Sequence, residues 1–193
     1  KHIRKRILGL HDELCVGDQL MIVKNNYYWL DVNSKAGFIA NGDIIEVLSI
    51  ISRKNIYDFS FAEVEVKLVD YPNELPFETV LLLDTLNTET PSLSYEDGNR
   101  LYQNITEDYK HEKSKYKKFI KVKKNPFLNA LQVKYSYALT CHKSQGGQWE
   151  NIFVEKPFMP DGINRDYLRW LYTAITRATK KLFLIGFQKE DFI

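Results

Sequence analysis

Tyr137-Ala138-Leu139-Thr140-Cys141-His142-Lys143-Ser144-Gln145-Gly146-Gly147-Gln148-Trp149 takes an apolar strand straight into a polar turn with two adjacent glycines, where a short helix is expected to open. A strand end of this kind gathers backbone N–H groups, hydroxyls and a lysine, which suits phosphate oxygens or the edge of a nucleotide. The same residues read equally well as a turn that merely caps a helix. Glycines in such a place permit close approach of another part of the chain. Beyond the turn, Asn151 to Glu155 is strand-like, a helix is expected from about Asn164, and Leu182 to Gly186 is strand-like again. Strand-like residues Leu131 to Leu139 lead in, and this alternation belongs to an α/β sheet.

The second informative stretch is Tyr167-Leu168-Arg169-Trp170-Leu171-Tyr172-Thr173-Ala174-Ile175-Thr176-Arg177-Ala178-Thr179-Lys180-Lys181. Leu168, Leu171, Ile175 and Ala178 recur at helical spacing, which puts Thr173, Thr176, Arg177 and Lys180 on or beside the exposed face. Arg177 taken alone is open to two readings, a charge set against the negative end of the helix dipole or a group reserved for a ligand. Trp149 reads as core rather than as a base-stacking platform.

Upstream the texture is different. Gly17 to Val23 is strand-like, Gly37 to Ile51 reads as two strands joined in a hairpin at Asn41-Gly42, and Thr79 to Asp84 is a further short strand. Ala62, Val64, Val66 and Leu68 alternate with Glu63, Glu65 and Lys67, as expected of a strand with one buried face. Short strands separated by turns point to a small barrel of the SH3 type. Ser94 and Asp97 then fit a capping box, with Leu101, Tyr102, Ile105 and Tyr109 at helical spacing, predicting a helix over 95–118. Between Lys110 and Lys124 lie eight lysines against one Glu, interleaved with Tyr116 and Phe119. This run is either a solvated helix face and linker or a phosphate-contacting patch. The expected organisation is one α/β unit, residues 1–12 with 127–193, interrupted by an inserted barrel with its helix and basic linker, residues 13–126.

At 193 residues, 44% of them hydrophobic, the chain is long enough for one good core or a core with a smaller inserted one. A charged fraction of 27% and a net charge of +2 select no class of partner, so any electrostatic argument must be local. Cys15 and Cys141 are far apart and outside any CxxC spacing, which argues against a disulfide framework or a zinc site. The sequence contains no apolar run of the roughly 18 residues that a bilayer requires, so no membrane association is expected and a cytoplasmic location is. The opening on Lys1 rather than Met, followed by a basic amphipathic stretch with Ile3, Ile7, Leu8 and Leu10, reads as an excised fragment.

Together the two stretches resemble two motifs of superfamily 1 helicases, in the RecD-like branch that carries a UvrD-type C-terminal domain. The family pattern Tyr-Ala-x-Thr-x-His-Lys-Ser-Gln-Gly, a short apolar strand, then Tyr-Thr-Ala-x-Thr-Arg-Ala and an apolar strand is matched at every element over about residues 127 to 187. Gly17-Asp18-Gln19-Leu20-Met21, Lys24-Asn25-Asn26 and Asn41-Gly42-Asp43 look like the inserted SH3-like barrel of that family. Ile3-Arg4-Lys5-Arg6-Ile7-Leu8-Gly9 is similar to the helix before the insertion. The resemblance implies a RecA-like parallel-sheet motor domain of P-loop NTPase fold that lacks the half bearing the phosphate loop.

It implies that Arg177 is the arginine finger reaching the γ-phosphate of ATP, the catalytic role, and that Gln145, Gly146 and Gln148 face the nucleotide. Thr140, His142, Lys143 and Ser144 become the single-strand contacts. Gln148 stands where many relatives carry Glu, which weakens its nucleotide role. The chain contains neither Gly-x-x-x-x-Gly-Lys-Ser/Thr nor an apolar strand ending in paired acids. This fragment alone is therefore expected to be inactive and to bind no cofactor, whereas the intact protein uses ATP with Mg²⁺. Its expected partners are single-stranded DNA, a missing N-terminal motor domain and, for a RecD-like protein, nuclease-complex subunits, in DNA repair and recombination. The expected movement is 5′ to 3′. The alternatives are a Pif1- or Dda-like helicase, which the Tyr-Thr-Ala-Ile-Thr-Arg ending disfavours, and a non-catalytic nucleic-acid-binding module.

Overall fold

The computed structural model describes residues 3–31, 34–145, 147–158 and 162–192. The chain divides into two compact units, Lys1–Tyr137 and Ala138–Ile193.

Five strands close a barrel in the first unit: β1 (Gln19–Ile22), β2 (Ile44–Ile56), β3 (Phe59–Leu68), β4 (Phe77–Leu82) and β5 (Leu131–Tyr135). They pair antiparallel in sequence order, β5 then pairing parallel with β4 and antiparallel with β1. Register slips between Val47 and Ser49 and between Ile50 and Ser52 mark irregularities of the kind that bend long strands round a small barrel. Closure removes the free sheet edges, and the result is consistent with the SH3-like barrel expected from the sequence.

The period of two in β3 and β4 is used on both faces. Ala62, Val64, Val66, Leu68 and Leu81 point into the barrel with Leu20, Ile22, Ile45, Val47, Leu131 and Val133. Phe59, Phe61, Val80 and Leu82 point outward and are covered by Leu101, Ile105 and Val122 from two helices. These are α2 (Tyr95–Asp108) and α3 (Lys115–Lys123); a short α1 (Asp84–Asn87) follows β4 and is tied to β5 by the buried Thr85 hydroxyl, which donates to the Val133 carbonyl at 3.0 Å and accepts from its N–H at 3.1 Å. Burial of this second face is why an outward-facing pair of phenylalanines is compatible with a folded barrel.

Several expectations are corrected. Asn41-Gly42 is a turn with positive φ at Gly42, but it does not join two paired strands: Ile39 bridges to Asn26, whereas β2 begins at Ile44 and pairs with β1. The tight hairpin lies at Tyr57-Asp58, both with positive φ (58° and 64°), between Ile56 and its partner Phe59. Positive φ at both central residues gives the twist that suits a two-residue loop, a role usually filled by Asn-Gly. Tertiary bonds hold the disfavoured conformation here: Asn104 donates to the Tyr57 carbonyl (3.1 Å) and to the Asp58 carboxylate (3.1 Å), and the Tyr57 hydroxyl bonds Asp108. The helix expected over 95–118 is two helices, because Ser114 caps a new start by accepting from the Lys117 N–H. The Ser94 cap is as expected, accepting from the Asp97 N–H at 3.1 Å.

The strand expected over 131–139 ends at Tyr135 and closes the barrel, so residues 127–137 fall in the first unit and not with 138–193. The stretch before Cys15 falls there too. Lys1 and His2 lie outside the described residues; Ile3–Ile7 forms a single π-helical turn, and its buried side chain is Arg4, with Ile3, Ile7 and Leu8 exposed. Arg4 is 3% exposed and makes a two-pronged bond to Asp18, itself fully buried, with Nε and Nη2 each 2.7 Å from a carboxylate oxygen. Asp18 also accepts from the Cys15 N–H (2.7 Å) and the Tyr137 hydroxyl (2.8 Å), and the guanidinium lies 4.9 Å from the centre of the Tyr135 ring. Burial first, then the bond to Asp18, pushes the Tyr137 hydroxyl up to about 12.

The second unit is a β-α-β crossover: β6 (Trp149–Glu155), α4 (Arg165–Ile175) and β7 (Ala178–Ile185), the strands paired parallel. Asn164 caps α4 by accepting from the Tyr167 N–H at 2.9 Å. Parallel sheets are normally covered on both faces, yet Phe153 and Phe183, stacked at 4.6 Å, stay 68% and 41% exposed.

Candidate functional site

Thr140 to Gln145 forms successive tight turns and not the short helix expected: the Lys143 N–H donates to the Thr140 carbonyl (2.9 Å), that of Ser144 to Thr140 (3.1 Å) and that of Gln145 to His142 (3.4 Å). The Ser144 hydroxyl is used internally, donating to the Cys141 carbonyl at 2.7 Å. Thr140, His142, Lys143, Gln145 and Gln148 are exposed and Ser144 is half-buried. Gly146 lies outside the described residues.

Gly147 is needed for a reason that the sequence could not state. A Cβ there would stand 2.4 Å from the Trp149 ring, so the indole edge occupies the space where a side chain would be. The close approach expected of the glycines is thus to a side chain, and Trp149 is a half-buried prop beneath the turn. Gly147→Ala is expected to force the ring aside, to cost about 1–3 kcal/mol as other overpacking changes do, and to shift the tryptophan emission. An unchanged melting temperature together with an unchanged spectrum would show that the ring does not constrain this position.

Arg177 sits in the two-residue link between α4 and β7, one residue beyond the Thr176 cap. Its Nε donates to the Thr173 carbonyl (3.0 Å), Nη2 to the Thr176 hydroxyl (3.1 Å) and Nη1 to the Gly147 carbonyl (3.3 Å). The Arg177 backbone carbonyl in turn accepts from the Trp149 N–H at 2.9 Å. The guanidinium therefore stands against the glycine turn, half-buried, and no carboxylate among the described residues forms an ion pair with it. Burial pushes the Cys141 thiol up, and Arg177 acts in the opposite direction.

A cavity of about 290 Å³ opens beside the turn, lined by His142, Gln145 and Cys141 from the turn and by Arg169, Trp170 and Thr173 from α4. The structure thus brings His142 and Gln145 together with one face of α4, while Arg177 reaches the other end of the turn. Arg169 and Trp170 were missed as lining residues; the available signal was that Arg169 lies one helical turn before Thr173, which the helical spacing puts on or beside the exposed face. Two expectations for this segment fail. Lys180 is on β7, bonded to Glu150 at 2.6 Å, and not beside the helix face. The side chains that α4 buries are Tyr167 and Ala174, whereas Leu168 of the expected stripe is 55% exposed.

Residues 135–185 match the UvrD-like helicase C-terminal domain. The match supports a superfamily 1 helicase C-terminal region over this stretch and suggests a helicase-related nucleic-acid function. An uncharacterized protein of Methanocaldococcus jannaschii is similar too, 36% identical over 77 residues that make up 39% of this chain and 6% of that protein. The matched stretch is therefore a small part of that relative's length. No described helix is long and apolar enough to cross a membrane.

Proposed function

We propose that this chain is the C-terminal portion of a RecD-like, ATP-dependent DNA helicase moving 5′ to 3′, in which Arg177 acts as an arginine finger on the triphosphate of ATP. The observation that carries this reading is the state of Arg177: a guanidinium fixed by two carbonyls and a hydroxyl at a glycine turn, with no carboxylate partner among the described residues. Such a group retains its positive charge for a ligand, and phosphoryl transfer needs that charge where the γ-phosphate oxygens gather it. Gln145, Gly146 and Gln148 are assigned to the nucleotide side. Thr140, His142, Lys143 and Ser144 are assigned to the single strand, where exposed donors of this kind position phosphates without reading sequence.

The second unit is proposed to be part of a RecA-like motor domain, its exposed phenylalanine pair covered by the remainder of that sheet. The ligands for Mg²⁺ and the phosphate loop are assigned to the partner motor domain, because this sequence carries neither Gly-x-x-x-x-Gly-Lys-Ser/Thr nor an apolar strand ending in paired acids. A role in DNA repair and recombination, nuclease-complex subunits as partners and a cytoplasmic location belong to the same proposal. The test is DNA-stimulated ATP hydrolysis by a longer protein that joins this chain to a phosphate-loop domain, with and without Arg177→Ala.

A further inference from the structure

A groove of about 310 Å³ runs along the outside of the barrel between the loop after β1 and the segment before β5, with Lys24, Asn25, Tyr27, Tyr28 and Asn129 among its walls. Tyr27 is 73% exposed, yet its ring is held: it stacks on Phe38 with centroids 4.8 Å apart and planes 24° from parallel. The two sides of this stack are clamped by the reciprocal Asn26–Ile39 backbone bonds (2.8 and 2.9 Å) and by the Asn41 N–H donating to the Asn25 side chain at 2.7 Å. One face of Tyr27 is thus taken by Phe38, and the other meets solvent in a fixed orientation. Fixing an aromatic ring in water has a cost that burial does not offset here.

Tyr28 connects the groove to the lysine run. Its hydroxyl donates to the Lys124 carbonyl at 2.9 Å, and its ring meets Trp29 edge-on at 4.9 Å, so the C-terminal end of α3 abuts the groove. Among the described residues none of Lys24, Lys123 and Lys124 is in an ion pair, although Lys123 lies over the Phe119 ring at 5.0 Å. The polar floor, by contrast, is already satisfied. The Asn129 carbonyl accepts from Asn26 (2.8 Å) and Trp29 (2.7 Å), and the Asn129 amide donates to the carbonyls of Lys123 (2.7 Å) and Asn125 (2.8 Å).

What this surface offers a ligand is therefore π-faces and positive charge, with few free groups for reading edges. A proline-rich peptide would use the rings but not the lysines. A single-stranded nucleic acid uses both, its bases stacking on aromatic faces and its phosphates following the ammonium groups.

We propose that the barrel carries its own single-strand nucleic-acid subsite, in which a base stacks on the open face of Tyr27 and the phosphates lie between Lys24 and the Lys123–Lys124 end of α3. The subsite is sequence-tolerant. It stands independently of the motor reading, since every residue that it uses lies in the first unit.

The experiment uses the 193-residue chain with Thr140, His142, Lys143 and Ser144 all changed to Ala, which removes the side-chain contacts proposed for the second unit. Fluorescence anisotropy with a labelled oligothymidylate of about 12 nucleotides is expected to show that Tyr27→Ala weakens binding about tenfold, that Tyr27→Phe restores it, and that Lys24→Gln with Lys124→Gln lowers the salt slope by about 0.7 per lysine. Cross-linking with 5-iodouracil in the oligonucleotide is expected at Tyr27 or Tyr28. Equal affinity for Tyr27→Ala, cross-links elsewhere only, or capture of a proline-rich peptide in place of the oligonucleotide would each overturn the subsite. A loss of ATP hydrolysis in Arg177→Ala, or its absence, bears on the motor reading and leaves this one untouched.

Discussion

Arg177→Ala, in a protein that joins this chain to a phosphate-loop domain, is expected to lower DNA-stimulated ATP hydrolysis by about 10³- to 10⁵-fold, the range for loss of an arginine finger. The fold should survive the change. Arg177 is half-buried, its partners are two carbonyls and a hydroxyl, and truncation strands no buried charge. Arg177→Lys keeps the charge but loses the planar fork that bonds Thr173, Thr176 and Gly147 at once, so most of the loss should remain. Thr176→Val, which removes the 3.1 Å acceptor but not the guanidinium, should fall between wild type and the alanine variant. Because the effect lies in the transition state, kcat should drop with little change in the concentration of ATP needed for half-saturation. Equal rates for Arg and Ala at this position would remove the finger assignment and leave the helix-end charge as the explanation.

How much of this arrangement could be read from residues alone depended on the range of the interaction. The Ser94 cap, the helix start near Asn164, the alternation in β3 and the strand, helix and strand after Trp149 are set by neighbours a few residues apart, and they are where the patterns put them. The Tyr57-Asp58 hairpin was not legible, because its positive φ angles are stabilised by Asn104 and Asp108, some 50 positions away. β5 was assigned to the wrong unit for a similar reason: Leu131 and Val133 suit either an α/β sheet or a barrel, and only pairing with β1 and β4 decides. In the site, residue types named the turn and Arg177, but the distance between them was invisible. The Gly147 carbonyl bond and the indole beneath it depend on how β6 leaves the turn, which no periodicity records. Arg4 misled most, since an amphipathic pattern assigns burial to Ile3 and Ile7, and the fold buries the arginine instead.

That inversion sets the second large effect. Asp18→Asn is expected to destabilise the first unit by about 3–5 kcal/mol, because it leaves the Arg4 guanidinium buried without its counter-charge. The Asn amide keeps one acceptor, and in either orientation its NH₂ would face an Arg4 nitrogen together with the Tyr137 hydroxyl or the Cys15 N–H that the lost oxygen now receives. Losing its proton gives Arg4 no escape either, because beside Asp18 its pKa is held above the ordinary value, the bond to Asp18 being the main cause. The double change Arg4→Met with Asp18→Leu removes both charges together, and buried pairs replaced in this way are often neutral or better. The double variant should therefore be more stable than Asp18→Leu alone, a non-additivity that a urea midpoint series on the wild type, Arg4→Met, Asp18→Leu and the double variant reads directly. If the single and double variants unfold at the same midpoint, the ion pair is not what ties the opening turn to the barrel, and the Tyr135 ring beneath the guanidinium becomes the better explanation for its burial.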